Sequence, residues 1–449
     1  MRFGLTLLAA VFSAVVQAVD IAGPDFWKSV NPAGIEQWQR AQQAKAGLKC
    51  LRGVSVNPAS GEVVVLAEAS GHKADATVEF ALIGPLSDRA YESLAVTVAT
   101  PGDIARAIEL SGCAAGRCIG GLKNQFWPYG NRFTVSFREL PCSDDAPYLP
   151  VSGLLAEHDP ANSLLPSASV IFTGGRRGAD GSYLADTNMP SSVFSLYNAD
   201  DTIFDLPVVC GQSEAYGRIK TAKALKQGAL IEFRFLPVRV DGGSYSAKKF
   251  TLEIASDDGA LEFRLSGRGV ATKGGADAVL NLLRAEAGKG YDVYLDAVFD
   301  SGLTVAQAAK AAALFAMLDG NGLRMDGTMN GRIYYQAFLP KERWRIREGR
   351  NPQPFELHLS RNASGALDRK LVFIGEDWSG EGLDPKLDVR EYPFSDWKQL
   401  PQLVEKTGGR DNKVLVLFVF APANAKLSEF EEGLRLVAER LPMVHVFSE

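Results

Sequence analysis

The chain has 449 residues, of which 46% are hydrophobic and 22% are charged. These proportions are typical of a folded globular protein, and the length exceeds what one hydrophobic core usually fills, so we expect two or three domains. The formal net charge of −5 argues against a protein whose main partner is nucleic acid.

The N-terminus has the features of a secretory signal peptide. Residues 1–18 combine one basic residue, Arg2, with the apolar run LTLLAAVFSAVV, and they end in Val16-Gln17-Ala18. Small residues before a cut after Ala18 fit signal-peptide cleavage. The apolar run is shorter than the roughly 20 residues that a membrane-spanning helix needs. We therefore predict a periplasmic or secreted protein, with a buried helix or a membrane anchor as the alternative.

The next segment, residues 19–44, predicts a helix that leads into the first domain. Ile35, Trp38 and Ala41 recur on one side of it, and this spacing is typical of an amphipathic helix that docks on a neighbouring surface.

Residues 45–240 predict a β-rich domain. Short apolar or alternating runs are separated by clusters of Asn, Pro, Gly and Ser, which is typical of strands joined by turns. Thr100-Pro101-Gly102-Asp103 predicts a helix start, because proline comes early and an acid lies in the first turn. The most distinctive stretch is 169–207, where an apolar entry leads into the Gly-rich basic turn TGGRR.

Six short stretches of this domain follow one another in a recognisable order. They are Gly84-Pro85, Tyr91-Glu92-Ser93-Leu94, the helix start at 100–107, VIFTG at 170–174, Tyr183-Leu184-Ala185-Asp186 and Ser195-Leu196-Tyr197-Asn198. In this order they resemble the YdjY-like family of exported bacterial proteins. The family often has a histidine before Glu-Ser-Leu, where this chain has Ser87-Asp88-Arg89-Ala90-Tyr91, so a ligand role for that histidine is not carried over. The resemblance implies an exported domain over about residues 45–240 and brings no reaction with it.

The five cysteines all lie in the first half of the chain. In an exported protein the usual state of cysteine is the disulfide. We predict pairs between Cys113 and Cys118 and between Cys142 and Cys210, with Cys50 free, although the spacing allows other arrangements. The alternative is a redox or metal site, but the gap between Cys113 and Cys118 fits neither C-x-x-C nor zinc spacing.

The rest of the chain predicts an α/β region. Residues 241–272 contain a hairpin signal and a linker, and residues 273–449 contain two β-α-β halves at about 291–326 and 387–449. Thr304 and Ser428 lie at matching helix starts as N-caps, and Glu431 would complete a capping box in the second half. The predicted class is α+β, a β-rich N-terminal domain followed by a sandwich-like α/β region.

The order of elements near the C-terminus faintly resembles the periplasmic domain of ExbD/TolR proteins, which work beside membrane proton channels. The membrane helix that usually precedes that domain is missing directly ahead of it, so a motor role does not follow.

Two sets of arginines are candidates for binding. Arg176 and Arg177 follow two glycines, and glycine amides with guanidinium groups suit phosphate or carboxylate. Arg343, Arg345 and Arg347 alternate along one face of a predicted strand, which indicates a contact surface for envelope proteins or anionic envelope polymer. The alternative for both sets is a solvated surface.

The sequence favours a binding or assembly protein of the bacterial envelope over an enzyme. Gly211-Gln212-Ser213-Glu214-Ala215 approaches the G-x-S-x-G nucleophile motif but lacks its last glycine. No metal or cofactor motif is present. The alternatives are a secreted hydrolase that uses Ser213 and a thiol-redox protein that uses Cys113 and Cys118.

Overall fold

The structure is a computed structural model. It mixes helices with two large sheets, which confirms the predicted α+β class. Within the described residues, no helix is both long enough and apolar enough to cross a membrane. The described residues are 27–118, 128–159, 163–165, 169–178, 180–199, 201–208, 210–267, 269–316, 323–329, 333–336, 355–377, 386–408, 416–438 and 443–449.

The first part of the chain is built mainly of short strands. Its helices are α1 (Pro32–Gln43), α2 (Pro101–Glu109) and the single turn α3 (Gln212–Ala215). Its strands are β1 (Lys49–Leu51), β2 (Val54–Val56), β3 (Val63–Ala69), β4 (Phe80–Ile83), β5 (Ser93–Thr97), β6 (Asn131–Glu139), β7 (Leu149–Pro150), β8 (Leu155–Glu157), β9 (Ser169–Phe172), β10 (Ser192–Ser195), β11 (Phe204–Asp205), β12 (Ile219–Thr221), β13 (Leu230–Pro237), β14 (Arg239–Val240) and β15 (Ser244–Tyr245).

The main sheet of this part closes on itself. Its strands follow the order β3-β13-β6-β9-β11-β10-β4-β5, and β5 returns to β3 through the pair Ala67 and Thr97. Phenylalanines fill the space that the strands enclose, with Phe204 and Phe235 stacked at 4.1 Å between ring centroids. Because the interior is a packed core, ligand sites of this part must lie on its outer surface.

Helix α1 lies on that outer surface. Asn31 caps the helix by accepting from the Gly34 N–H, and Pro32 occupies the first turn. Ile35 and Trp38, two of the three residues predicted to face a neighbouring surface, are buried against side chains of β3 and β13. Ala41 is exposed, and Gln42 takes the buried position instead.

The second part of the chain forms one sheet with helices. Its helices are α4 (Ala276–Gly288), α5 (Val305–Ala316), α6 (Gln399–Gly408) and α7 (Glu431–Ala438). Its strands are β16 (Ala247–Asp257), β17 (Ala260–Gly267), β18 (Val270–Gly274), β19 (Asp292–Phe299), β20 (Leu323–Met329), β21 (Ile333–Tyr335), β22 (Phe355–Arg361), β23 (Leu367–Asp377), β24 (Lys386–Phe394), β25 (Val416–Ala421) and β26 (Met443–Ser448).

This sheet contains the same topology twice. The first unit has the strand order β18-β17-β16-β19-β20, and the second has β24-β23-β22-β25-β26. In the first unit β16 is antiparallel to β17 and parallel to β19. In the second unit β22 is likewise antiparallel to β23 and parallel to β25. Helices α4 to α7 share one core with the strands. The segment 241–272, predicted as a hairpin and linker, supplies the first strands of this sheet.

The two units contact each other through equivalent loops. The N–H groups of Val305 and Ala306, at the start of α5, donate to the carbonyls of Ala425 and Ala423 at 2.9 and 3.0 Å. In return, the N–H groups of Leu427 and Ser428 donate to carbonyls of the loop before α5 at 2.9 and 2.8 Å. We call these two loops, residues 301–305 and 423–428, the paired loops.

The predicted helix caps have different outcomes. Thr304 is an N-cap, since its hydroxyl accepts from the Gln307 N–H while the Gln307 side chain accepts from the Thr304 N–H. The capping box predicted for Ser428 and Glu431 is wrong. The Ser428 N–H donates to the Ser301 carbonyl in the other paired loop, and the Glu431 carboxylate accepts from the Tyr335 hydroxyl.

Candidate functional site

A polar cleft of about 320 Å³ lies between the end of α1 and the outer face of the closed sheet. Its walls come from the end of α1 and the residues after it, from β2 and β3, and from β6 with the loop that follows it. We call it the α1 cleft. Its lining includes the polar residues Gln42, Lys45, Ser55, Asn57, Glu62 and Tyr148.

Beneath the cleft lies a carboxylate, Glu232 of β13, that is only 1% exposed. One oxygen accepts from the Trp38 indole N–H at 2.5 Å and the Gln42 amide at 3.4 Å. The other accepts from the Arg138 guanidinium at 2.5 Å and the Tyr148 hydroxyl at 2.7 Å. A buried charge is tolerated when it is paired and hydrogen-bonded in this way. The network therefore fixes α1 and the loop after β6 to the sheet.

Two arginines lie close to the Tyr148 ring. The guanidinium carbons of Arg138 and Arg234 lie 4.6 and 4.3 Å from its ring centroid, which is within cation–π distance. Burial and the neighbouring Glu232 raise the pKa of the Tyr148 phenol, so the phenol stays protonated and donates to that carboxylate. These contacts fix the position of the ring, which lines the cleft.

A second buried carboxylate fastens the chain before α1. Glu68 of β3 is 1% exposed and accepts from the Trp27 indole, the Ser29 hydroxyl and the Asn31 N–H at 2.8 to 2.9 Å. Neither Glu68 nor Glu232 is predicted from the sequence as a residue of a site. The available signal was a lone acidic residue inside an apolar strand, as in VVVLAEA and LIEFRFLP.

The arginines predicted to bind anions are not brought together. Arg177 donates to Glu109 and to the Tyr183 hydroxyl, both at 2.6 Å, while Arg176 is exposed. Because the Arg177 guanidinium is already paired with Glu109, it is less available to bind an anion than an unpaired guanidinium would be. Arg343, Arg345 and Arg347 lie outside the described residues.

The predicted disulfides are not formed, and all five cysteines carry free thiols. The Cys113 sulfur accepts from the Asn131 amide at 3.2 Å, whereas the Cys118 thiol donates towards the Thr202 carbonyl at 3.3 Å. The two neighbours in sequence thus have separate partners. In the other predicted pair, Cys142 is exposed and Cys210 is buried.

We expect a thiol reagent to modify two cysteines in the native protein and five in the unfolded one. Cys142 is exposed and should react first, and Cys50 should react more slowly because partial burial raises the pKa of its thiol. Mass spectrometry after alkylation without reductant counts the modified residues. If unfolding without reductant exposes only one reactive thiol, the predicted disulfides exist and this interpretation is wrong.

The structure offers little support for the two catalytic alternatives. Ser213 lies in the single turn α3, and β11 ends at Asp205, so the strand-to-helix turn of a nucleophile elbow is not made there. Burial raises the pKa of Cys113 to about 12, which disfavours the thiolate that redox chemistry needs. Among the described residues, no group of three or more His, Cys, Asp or Glu side chains is arranged to hold a metal ion.

Comparisons with known proteins do not assign a family. No family model matches the chain, and no curated protein matches it. A Bacteroides thetaiotaomicron protein with actin-like ATPase fold and unknown function aligns at 9% identity over 44% of this chain and 91% of its own, with a TM-score of 0.15.

Two further solved structures show the same weak likeness. An uncharacterized Pseudomonas aeruginosa protein with similarity to peptidase YeaZ is 14% identical over 45% of this chain and 83% of its own, with a TM-score of 0.14. The Aquifex aeolicus Ppx/GppA enzyme is 10% identical over 39% of this chain and 67% of its own, with a TM-score of 0.12. Likenesses at these scores support no conclusion about fold or function.

Proposed function

We propose that this protein is exported to the bacterial envelope and acts there by binding, with the α1 cleft as its ligand site and without catalysing a reaction. The observation that carries the proposal is the contrast within the cleft. The Glu232 carboxylate below it has its hydrogen bonds satisfied, while Lys45, Asn57 and Glu62 at its rim are partly exposed. Walls fixed in this way keep such rim groups in a constant geometry, which favours binding.

The N-terminal sequence supports export. An apolar run followed by Val16-Gln17-Ala18 fits cleavage after Ala18. Such a cut would leave Trp27 and α1 on the mature chain, where they fasten to Glu68 and Glu232. The resemblance to the YdjY-like family agrees with this location. Burial of Cys113, Cys118 and Cys210 would shield their thiols from an oxidising compartment.

A second contact surface is proposed for acidic envelope proteins or anionic envelope polymer. Arg176 is exposed, and Arg343, Arg345 and Arg347 alternate in the sequence. Contacts between exposed charges weaken as the salt concentration rises. Binding through these arginines should therefore decrease at high salt, whereas binding of an uncharged ligand in the α1 cleft should not.

We expect purified mature protein to co-sediment with envelope fractions and the Ala46→Trp variant to co-sediment poorly. Ala46 lines the cleft and is exposed, so an indole there fills the mouth of the cleft without disturbing the buried network. Ala44→Trp is the matched control, because Ala44 is also exposed and is not among the lining residues. Equal sedimentation of the two variants would remove the cleft from the proposal.

The proposed location is tested by fractionating cells that produce the protein. We expect the protein in the periplasmic or secreted fraction with its N-terminus at Val19, as read by mass spectrometry. Ala18→Arg, which places a large charged residue at the cleavage point, should leave the full-length chain uncut. Uncut wild-type protein in the cytosol would contradict export.

A further inference from the structure

The rim of the α1 cleft has hydrogen-bonding capacity that the described part of the chain leaves unused. The Asn57 side-chain oxygen accepts from the Ala59 and Ser60 N–H groups at 3.0 and 3.4 Å, while its NH₂ group has no partner among the described residues. The Glu62 carboxylate lies 4.0 Å from the Arg234 guanidinium, which is close enough for an ion pair but beyond hydrogen-bond distance. Donors and acceptors therefore stand side by side at the rim.

The charges around the cleft are already matched within the protein. Lys45 pairs with Asp144 at 3.2 Å, Arg138 pairs with Glu232 at 2.5 Å, and Glu62 lies within ion-pair distance of Arg234 at 4.0 Å. A charged ligand group would have to break one of these pairs or approach a like charge. An uncharged ligand avoids both costs, since it can bond to the unused hydrogen-bond donors and acceptors of the rim and leave the ion pairs intact.

We propose that the α1 cleft binds a neutral, hydroxyl-rich saccharide unit. This inference rests on the proposed function and names the ligand class of the same site. A hydroxyl group both donates and accepts hydrogen bonds, so neighbouring sugar hydroxyls can accept from the Asn57 amide and donate to the Glu62 carboxylate. The Tyr148 hydroxyl, which already donates to Glu232, retains acceptor capacity for a third contact.

The volume of the cleft suits a small ligand of one or two sugar rings. The volume of about 320 Å³ lies at the lower end of the range of roughly 300–1,000 Å³ found for small-ligand sites. Because two guanidinium groups already lie against the Tyr148 ring, a sugar ring would have to compete with them to stack on it. Hydrogen bonds at the rim must supply most of the recognition.

Titration calorimetry with defined probes tests the inference. The neutral probes are maltotriose and tri-N-acetylchitotriose, and the anionic probes are inorganic phosphate and polyphosphate. We expect at least one neutral trisaccharide to bind. Raising the salt from about 0.05 to about 0.5 M should change its affinity less than about twofold, because no exposed ion pair is formed.

Three variants locate the contact. Ala46→Trp and Asn57→Leu should weaken trisaccharide binding by about tenfold or more, equivalent to about 1.4 kcal/mol, whereas Ala44→Trp should leave it unchanged. Circular dichroism confirms that each variant is folded. Absence of trisaccharide binding, equal binding to Ala46→Trp and Ala44→Trp, or cleft-dependent binding of polyphosphate alone would each overturn the inference.

The envelope co-sedimentation assay separates this inference from the proposed function. If Ala46→Trp loses envelope binding while neither trisaccharide binds the wild type, the cleft is a ligand site for another chemistry and only the saccharide assignment is wrong. If Ala46→Trp changes neither the co-sedimentation with envelope fractions nor the binding of trisaccharides, the saccharide assignment and the proposed ligand site are both wrong.

Discussion

Replacing Glu232 by alanine should lower the free energy of unfolding by about 3–5 kcal/mol. The change leaves the Arg138 guanidinium, only 8% exposed, without its carboxylate, and it removes the acceptor of the Trp38 and Tyr148 donors. Breaking a buried ion pair from one side costs this much because the remaining charge stays buried and uncompensated. Urea denaturation followed by tryptophan fluorescence measures the loss.

The matched control is Glu139→Ala. Glu139 is an exposed carboxylate on β6 that pairs with Lys223 at the surface. Exposed pairs contribute about 0–1 kcal/mol, so this variant should stay close to the wild type. If Glu232→Ala destabilises the protein no more than Glu139→Ala does, the network beneath the α1 cleft is not what holds α1 in place.

Acid should destabilise the wild type by about 3 kcal/mol more than the His445→Phe variant between pH 7 and pH 4. His445 of β26 is fully buried, and burial lowers the pKa of its imidazole from 6.5 to about 3. In the unfolded chain the imidazole gains a proton below pH 6.5, while in the folded chain it stays neutral down to about pH 3. The free energy of unfolding therefore falls as the pH drops through that window.

Phenylalanine is chosen because it keeps the ring contacts. The imidazole stacks on Tyr334 at 5.1 Å and contacts the Phe418 edge at 5.9 Å between ring centroids. The variant loses the hydrogen bond from Gln336 to the ring nitrogen, a cost that is the same at every pH. Urea denaturation at several pH values gives the difference, and His158→Gln at an exposed site is the control. Parallel pH curves for wild type and His445→Phe would contradict the expectation.

Local patterns predicted local structure well. Thr100-Pro101 at the start of α2 and the hydroxyl of Thr304 before α5 each mark a helix start, because a cap acts within a few residues of the chain. The antiparallel pair β16 and β17 also forms the hairpin that the sequence predicts within 241–272. The prediction for Ser428 was wrong because its N–H bonds to the other paired loop, a contact that no local pattern reveals.

The candidate site could not be predicted because it depends on distant contacts. Trp38 and Glu232 are 194 residues apart in sequence, and Arg138 is 94 residues from the same carboxylate. Only the pairing of β13 with β6 and β3 brings them together. The disulfide prediction failed for a related reason, since nearness in sequence fixes neither the direction nor the partner of a cysteine side chain. Cys113 faces Asn131 and Cys118 faces Thr202.

The paired loops have a consequence for anion binding in this half of the molecule. In open α/β sheets, the carboxyl ends of the strands and the helix N-termini beside them are where phosphate groups commonly bind. Here the amides of Val305 and Ala306, at the start of α5, are bonded to carbonyls of the other unit. These two amides are therefore not available to a phosphate, and separating the two units would leave them without partners.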